Sequence, residues 1–205
     1  GISIPRLEDR DGLRRRLDRL RRDVDRSGAM DRMDRYAQQA LDMVLSGKAQ
    51  RAFRIEDEPP RVREAYGAGS LGEKALLARR LVEAGVTFVL VSGAWGYFDH
   101  HGDEVVWGGI EKGLKPLLPA VDRALYALVN DLEARGLLET TLILMLGEFG
   151  REPVMTKTAG RGHWQSVMSM LLAGGGLRHG QVIGSTDEKG YGIKTRRVAP
   201  ADLAA

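Results

Sequence analysis

The chain has 205 residues, with 31 lysine plus arginine against 28 aspartate plus glutamate, a formal net charge of +3 and no cysteine. That length buries a sizeable core and the composition is that of an ordinary globular protein; so small a charge surplus implies no nucleic-acid binding, and the missing cysteine excludes disulfides, thiolate metal sites and cysteine nucleophiles. No apolar run approaches the about 20 residues that span a bilayer, and no signal peptide is visible.

In chain order, the first thirty residues carry nine arginines among six acids, with Leu13, Leu17, Leu20 and Val24 alternating steps of four and three. This is a narrow apolar seam on a charged helix, and the interleaved acids favour a solvated helix over a basic arm. Ser27-Gly28 interrupts it. A second helix carries Met30, Met33, Tyr36, Ala40, Leu41 and Val44, ends near Gly47, and uses its methionines for core packing. Residues 48–69 are mostly polar, contain Pro59-Pro60, and read as a surface connection. We therefore expect a helical segment and connection over 1–69 and an α/β domain over 70–205.

Ser70 and Glu73 have capping-box spacing at the start of a helix that ends at Gly85. Val86-Thr87-Phe88-Val89-Leu90-Val91 and Thr141-Leu142-Ile143-Leu144-Met145-Leu146 are short, nearly continuous apolar runs, as expected for buried strands. Between them Leu114, Leu117, Leu118, Val121, Leu125, Leu128 and Leu132 recur at helical steps, closed by Gly136. Strand, helix, strand implies a right-handed parallel crossover, which brings the residues after both strands to one rim of the sheet. Ser166 to Leu172 reads as a further strand, antiparallel to the second if the two are neighbours; Gly174-Gly175-Gly176 reads as a turn, and 180–184 as a short edge strand.

Three of the four histidines lie between Gly85 and His163. In extended backbone Asp99 and His101 point the same way, and with His163 they offer a three-ligand nitrogen and oxygen site, for which zinc is the first choice and manganese or iron the next. The same Asp-x-His spacing also suits a hydrogen-bonded turn. Glu148 is either a ligand or general base on the rim or a solvated carboxylate. Arg151 and Arg161 either grip an anionic ester or pair with structural acids. Trp164 reads as core or pocket wall, and His179 as a solvated surface residue.

Four motifs occur in order: Phe98-Asp99-His100-His101-Gly102-Asp103, Gly147-Glu148-Phe149-Gly150-Arg151-Glu152-Pro153, Gly160-Arg161-Gly162-His163-Trp164 and Leu172-Ala173-Gly174-Gly175-Gly176. From about Ser70 onward the chain resembles the bacterial family known as domain of unknown function 1501, which is similar to the alkaline phosphatase and sulfatase superfamily. The resemblance implies a three-layer α/β/α fold with a mostly parallel sheet and an antiparallel strand. It also implies one metal site at Asp99, His101 and His163, with Glu148 where an acidic ligand of a second metal lies. Phe149 stands where that superfamily commonly has His or Asn, and the Asp99 to His101 spacing is closer than its usual one. The superfamily's nucleophile and an early metal-binding aspartate come from an N-terminal region with no counterpart here.

We therefore expect the C-terminal part of a metal-dependent hydrolase of small sulfate or phosphate esters, acting with the missing N-terminal region of a parent chain. The alternative is a non-catalytic binding protein that keeps the fold and one metal. The compartment stays open, a periplasmic or secreted parent included.

Overall fold

The computed structural model describes residues 5–6, 9–10, 12, 29–45, 47–93, 98–102 and 109–203. The charged helix expected around Leu13 to Val24 lies outside them. The chain divides into two compact units, Gly1–Arg54 and Ile55–Ala205. In the first, α1 (Ala29–Leu45) follows the expected periodicity and α2 (Lys48–Ala52) follows Gly47, which adopts a left-handed φ of 68°. Met33, read as core packing, is exposed on α1, as is Tyr36.

The second unit is built on three helices, α3 (Pro60–Tyr66), α4 (Ser70–Glu83) and α5 (Lys115–Ala134). A proline at the first helical position starts α3, where the missing N–H is not needed. A π-helical turn, Ile110–Leu114, feeds α5, so that Pro116 falls in the first turn of that helix. Tyr66, Ala75, Leu76, Ala124 and Ala127 form the apolar core, with Ile55, Val62, Leu71 and Leu128 packed on it. Small alanines on α5 allow it to approach both partners closely. The stretch 48–69, expected as a surface connection, holds α2 in the first unit and, in the second, α3 with the buried Tyr66 and Glu58.

Glycine ends α4 and α5 by the same device. Gly85 (φ 97°) and Gly136 (φ 68°) turn left-handed, and the backbone N–H groups of Val86 and Leu137 reach back to the carbonyls of Leu81 and Leu132. These are Schellman closures, and each places an apolar residue just beyond the helix. The N-terminus of α4 departs from expectation: Gly69 is its cap, and Ser70 and Glu73 form no capping box because Ser70 already lies inside the helix.

Arg79 of α4 is fully buried and lies 2.9 Å from Glu58, 2.6 Å from Glu83 and 2.8 Å from Asp131. Arg80 adds a second pairing to Glu58, and Arg135 reaches Asp131 at 2.7 Å and Glu83 at 2.8 Å. The Tyr66 hydroxyl donates to Asp131 at 3.0 Å. Burial would raise the Glu58 pKa, but hydrogen bonding to Arg79 and the charges of Arg79 and Arg80 outweigh it and hold the carboxyl below its ordinary value. Burial, then the Asp131 charge, push the Tyr66 hydroxyl well above its ordinary value. The helices are therefore tied together by a closed ionic network beside a modest apolar core.

The expected three-layer, mostly parallel α/β/α architecture of alkaline phosphatase type is not what forms. All sheets among the described residues are two-stranded and antiparallel. β1 (Leu142–Met145) pairs with β4 (Leu171–Gly174), β2 (Gly150–Arg151) with β3 (His163–Trp164), and β5 (Ser185–Thr186) with β6 (Ile193–Thr195). The run 86–91 is not a strand, although its composition suits one. Strands exist only through pairing, and this segment instead runs from the end of α4, with Ser92 O accepting from Lys74 Nζ at 3.0 Å and Phe88 and Leu90 exposed. Without that strand there is no parallel crossover, and α5 packs on helices instead of covering a sheet.

The antiparallel return from β1 to the strand before Gly174 is present, in the register Leu142 to Gly174 and Met145 to Leu171. Gly174, Gly175 and Gly176 all take positive φ and make the expected turn. His179 is exposed and closes that turn, its Nε2 accepting from Gly174 N–H at 2.8 Å. No strand forms at 180–184; the next one, β5, covers only Ser185–Thr186. No helix among the described residues is long and apolar enough to cross a membrane.

Candidate metal centre

The short β2–β3 ladder positions the site. Its register sets Arg151 directly opposite His163. Between the two strands the chain folds back on itself: Glu152 N–H donates to Gly162 O at 2.8 Å, and Thr156 N–H to Gly160 O at 2.9 Å. This loop docks on the 98–102 segment through Arg161 N–H to His100 O at 3.1 Å. The approach is so close that a Cβ at Gly160 would stand 1.9 Å from the His101 carbonyl carbon, so no other residue fits there. Local pairing thus carries Asp99 and His101, far away in sequence, onto the ladder.

Everything there converges on one carboxylate oxygen. His101 Nε2 lies 2.8 Å from Asp99 Oδ1, His163 Nε2 at 2.9 Å and Arg151 Nη1 at 2.7 Å. Arg151 Nη2 also donates to Phe98 O at 3.3 Å, which fixes the guanidinium in place. A carboxylate only accepts, so both imidazoles present an Nε2–H to it. The rings of His101 and His163 are 4.5 Å apart, and the Phe149 ring packs against His163 at 4.4 Å, tilted by 50°. The site faces solvent, with His163 47% and Asp99 31% exposed.

The hydrogen bond from His163, outweighing partial burial and helped by Arg151 and the charge of His101, holds the Asp99 carboxyl down at about 2, against an ordinary 3.8. Because the folded value is the lower one, this contribution is complete above about pH 4 and disappears as pH falls towards 2. A carbon-detected NMR titration of the Asp99 carboxyl is expected to show a midpoint near 2. A midpoint at the ordinary carboxylate value would mean that the three donors are not held on Asp99 in solution.

Asp99, His101 and His163 form a possible metal-binding triad, with one ligand atom from each lying within 4.8 Å of the others. Two imidazole nitrogens and one carboxylate oxygen, open to solvent on one side, are the donor chemistry of a three-ligand site with a free position. Loading it requires both imidazoles to give up or relocate the Nε2 proton, so metal affinity rises with pH.

Of the other residues singled out in the sequence, Arg151 joins the cluster as the ion-pair partner of Asp99. Glu148 is exposed on the loop after β1, outside the triad. Arg161 donates to Glu152 O at 3.4 Å. Trp164 donates to Tyr191 O at 2.9 Å and packs edge-on against the Tyr191 ring. Sequence reasoning noted Phe149 only as a departure from a motif, whereas its ring packs at a tilt against His163.

The family model described as "Protein of unknown function (DUF1501)" matches residues 1–205. The chain belongs to the DUF1501 family. The match extends well N-terminal of Ser70, where the motif resemblance begins. No curated protein and no solved structure matches this DUF1501 chain.

Proposed function

We propose that this DUF1501 chain supplies the metal centre of a hydrolase acting on phosphate or sulfate esters, with zinc as the ion. The observation that carries the proposal is the convergence of His101 Nε2 and His163 Nε2 on Asp99 Oδ1, with Arg151 beside them on a solvent-open face. Asp99, His101 and His163 would hold the ion, which supplies Lewis acidity towards the ester and an activated water nucleophile. Arg151 is a positioning residue: it orients Asp99 and sets a fixed positive charge where an anionic ester arrives. Phe149, packed against the His163 ring, limits its freedom to turn. The ester class is the expectation drawn from likening the DUF1501 family to the alkaline phosphatase and sulfatase superfamily, and the reading stands on side-chain chemistry and not on a shared fold.

One observation favours the non-catalytic alternative. Asp99 Oδ1 already accepts from three donors, and Glu148 stands outside the cluster, so the group also works as a self-contained ionic latch that takes up metal without turning substrate over. Assays with 4-nitrophenyl phosphate and 4-nitrophenyl sulfate, with and without added zinc, separate the two. The hydrolase predicts zinc-dependent turnover that a chelator abolishes and that Asp99→Asn lowers by at least about 100-fold, more than loss of an outer-sphere partner costs. Stoichiometric zinc with no turnover of either ester would establish the binding protein.

A further inference from the structure

The loop that follows Trp164 and the β5–β6 hairpin border a second feature, open to solvent and outside the triad. A cleft of about 520 Å³ is lined by Ser166, Lys194, Thr195, Arg196 and Arg197, with Gly192 and Ile193 completing it. We propose that it binds a small molecule carrying two or more phosphate or sulfate groups.

The first support is charge. Lys194, Arg196 and Arg197 have no carboxylate partner among the described residues. Asp187, beside Gly192, is turned into its own loop, its oxygens accepting from the backbone N–H groups of Lys189, Tyr191 and Gly192 at 2.7–3.0 Å. The lining therefore holds three cations and no acid, and the hydroxyls of Ser166 and Thr195 add neutral polar groups.

The second support is the backbone. Opposite Ser185 and Thr186, β6 carries Thr195 and Ile193, so Lys194 is the extra residue of a bulge. Two residues on, Arg196 is held at a φ of 46°, a left-handed conformation that L side chains rarely adopt. The strand before it is closely paired: Ser185 Oγ and Thr195 Oγ1 are 2.7 Å apart, and a Cβ at Gly184 would stand 2.9 Å from the Arg196 carbonyl oxygen, so the two chains run close together here. Bulges re-aim side chains, and left-handed non-glycine residues concentrate at ligand sites. Here two such irregularities fall within three residues, and both carry cations.

The dimensions and lining narrow the ligand. The volume suits a small molecule, and no aromatic side chain lines the cleft for stacking, which argues against single-stranded nucleic acid. Guanidinium groups match the oxygens of phosphate and sulfate alike through paired N–H donors.

The test uses the whole chain, treated with chelator, and calorimetric titration at low salt with inorganic pyrophosphate and with a disulfated disaccharide. Binding of at least one is expected, the tighter of the two identifying the phosphate or the sulfate source, and weakening as salt rises. Arg196→Gly removes the cation while relieving the left-handed strain, so it should weaken binding about tenfold with a melting temperature that is unchanged or higher. Arg197→Ala should act similarly, whereas Arg178→Ala, outside the cleft, should leave affinity as it was. The inference is overturned if neither anion binds at low salt, if Arg196→Gly and Arg197→Ala both bind like the parent, or if a single-stranded oligonucleotide competes more strongly than pyrophosphate.

Discussion

Replacing Arg79 by methionine is expected to lower the unfolding free energy by about 3–5 kcal/mol, the range for removing one partner of a buried ionic group. The side chain is fully buried and contacts Glu58, Glu83 and Asp131, so its loss strips a cation from among three acids. Arg80 and Arg135 remain, but Arg80 is on the Glu58 side and Arg135 is 3.7 Å from Glu58, too far to replace what Arg79 supplies. For a chain of this size the loss corresponds to a melting temperature lower by roughly 6–20 °C. Adding Glu58→Gln to Arg79→Met should restore part of it, because the orphaned charge is then removed as well. Chemical denaturation of the single and double variants measures both values. A single variant within about 1 kcal/mol of the parent, where ordinary surface changes fall, would show that the network contributes little.

Converting Asp99 to asparagine is expected to weaken zinc binding by at least about 100-fold, beyond the 10–100-fold typical of outer-sphere changes. The substitution keeps shape but removes the negative oxygen on which both imidazoles converge. It also frees Arg151, leaving an unneutralised guanidinium 2.7 Å from the altered group, and that cation repels an incoming metal. His163→Ala should match Asp99→Asn, since each deletes one of three ligands. His179→Ala should bind zinc like the parent, because its ring serves the Gly174 turn. Competition titrations with a chromogenic zinc indicator measure all four proteins. Equal affinity in parent and Asp99→Asn would remove the triad as a metal site, and the hydrolase proposal with it.

Much of the candidate site was legible because its parts lie in short motifs. Asp99 and His101 sit two apart, and Gly160 to His163 sits in a glycine-rich loop that could reach them. Arg151 was left between substrate grip and ion pair; the β2–β3 register, which sets it opposite His163, places it on Asp99. The basic cleft was not legible at all, since a bulge at Lys194 and a left-handed Arg196 are products of how the hairpin is clamped.

What this chain's sequence determines by itself is local. The periodicity of Leu117 to Leu132 and the glycines at 85 and 136 specify α5 and the closures of α4 and α5, because side-chain spacing and left-handed φ are settled within a few residues. Tertiary structure decided which strand-like runs find a partner and which side chains are sealed in the core. Val86 to Val91 and Leu142 to Met145 are equally strand-like in composition, yet only the second acquires a partner, because pairing depends on what another segment presents across space. For the same reason Arg79, indistinguishable in sequence from its neighbour Arg80, is the residue sealed inside: its burial follows from which face of α4 meets Glu58 and Asp131.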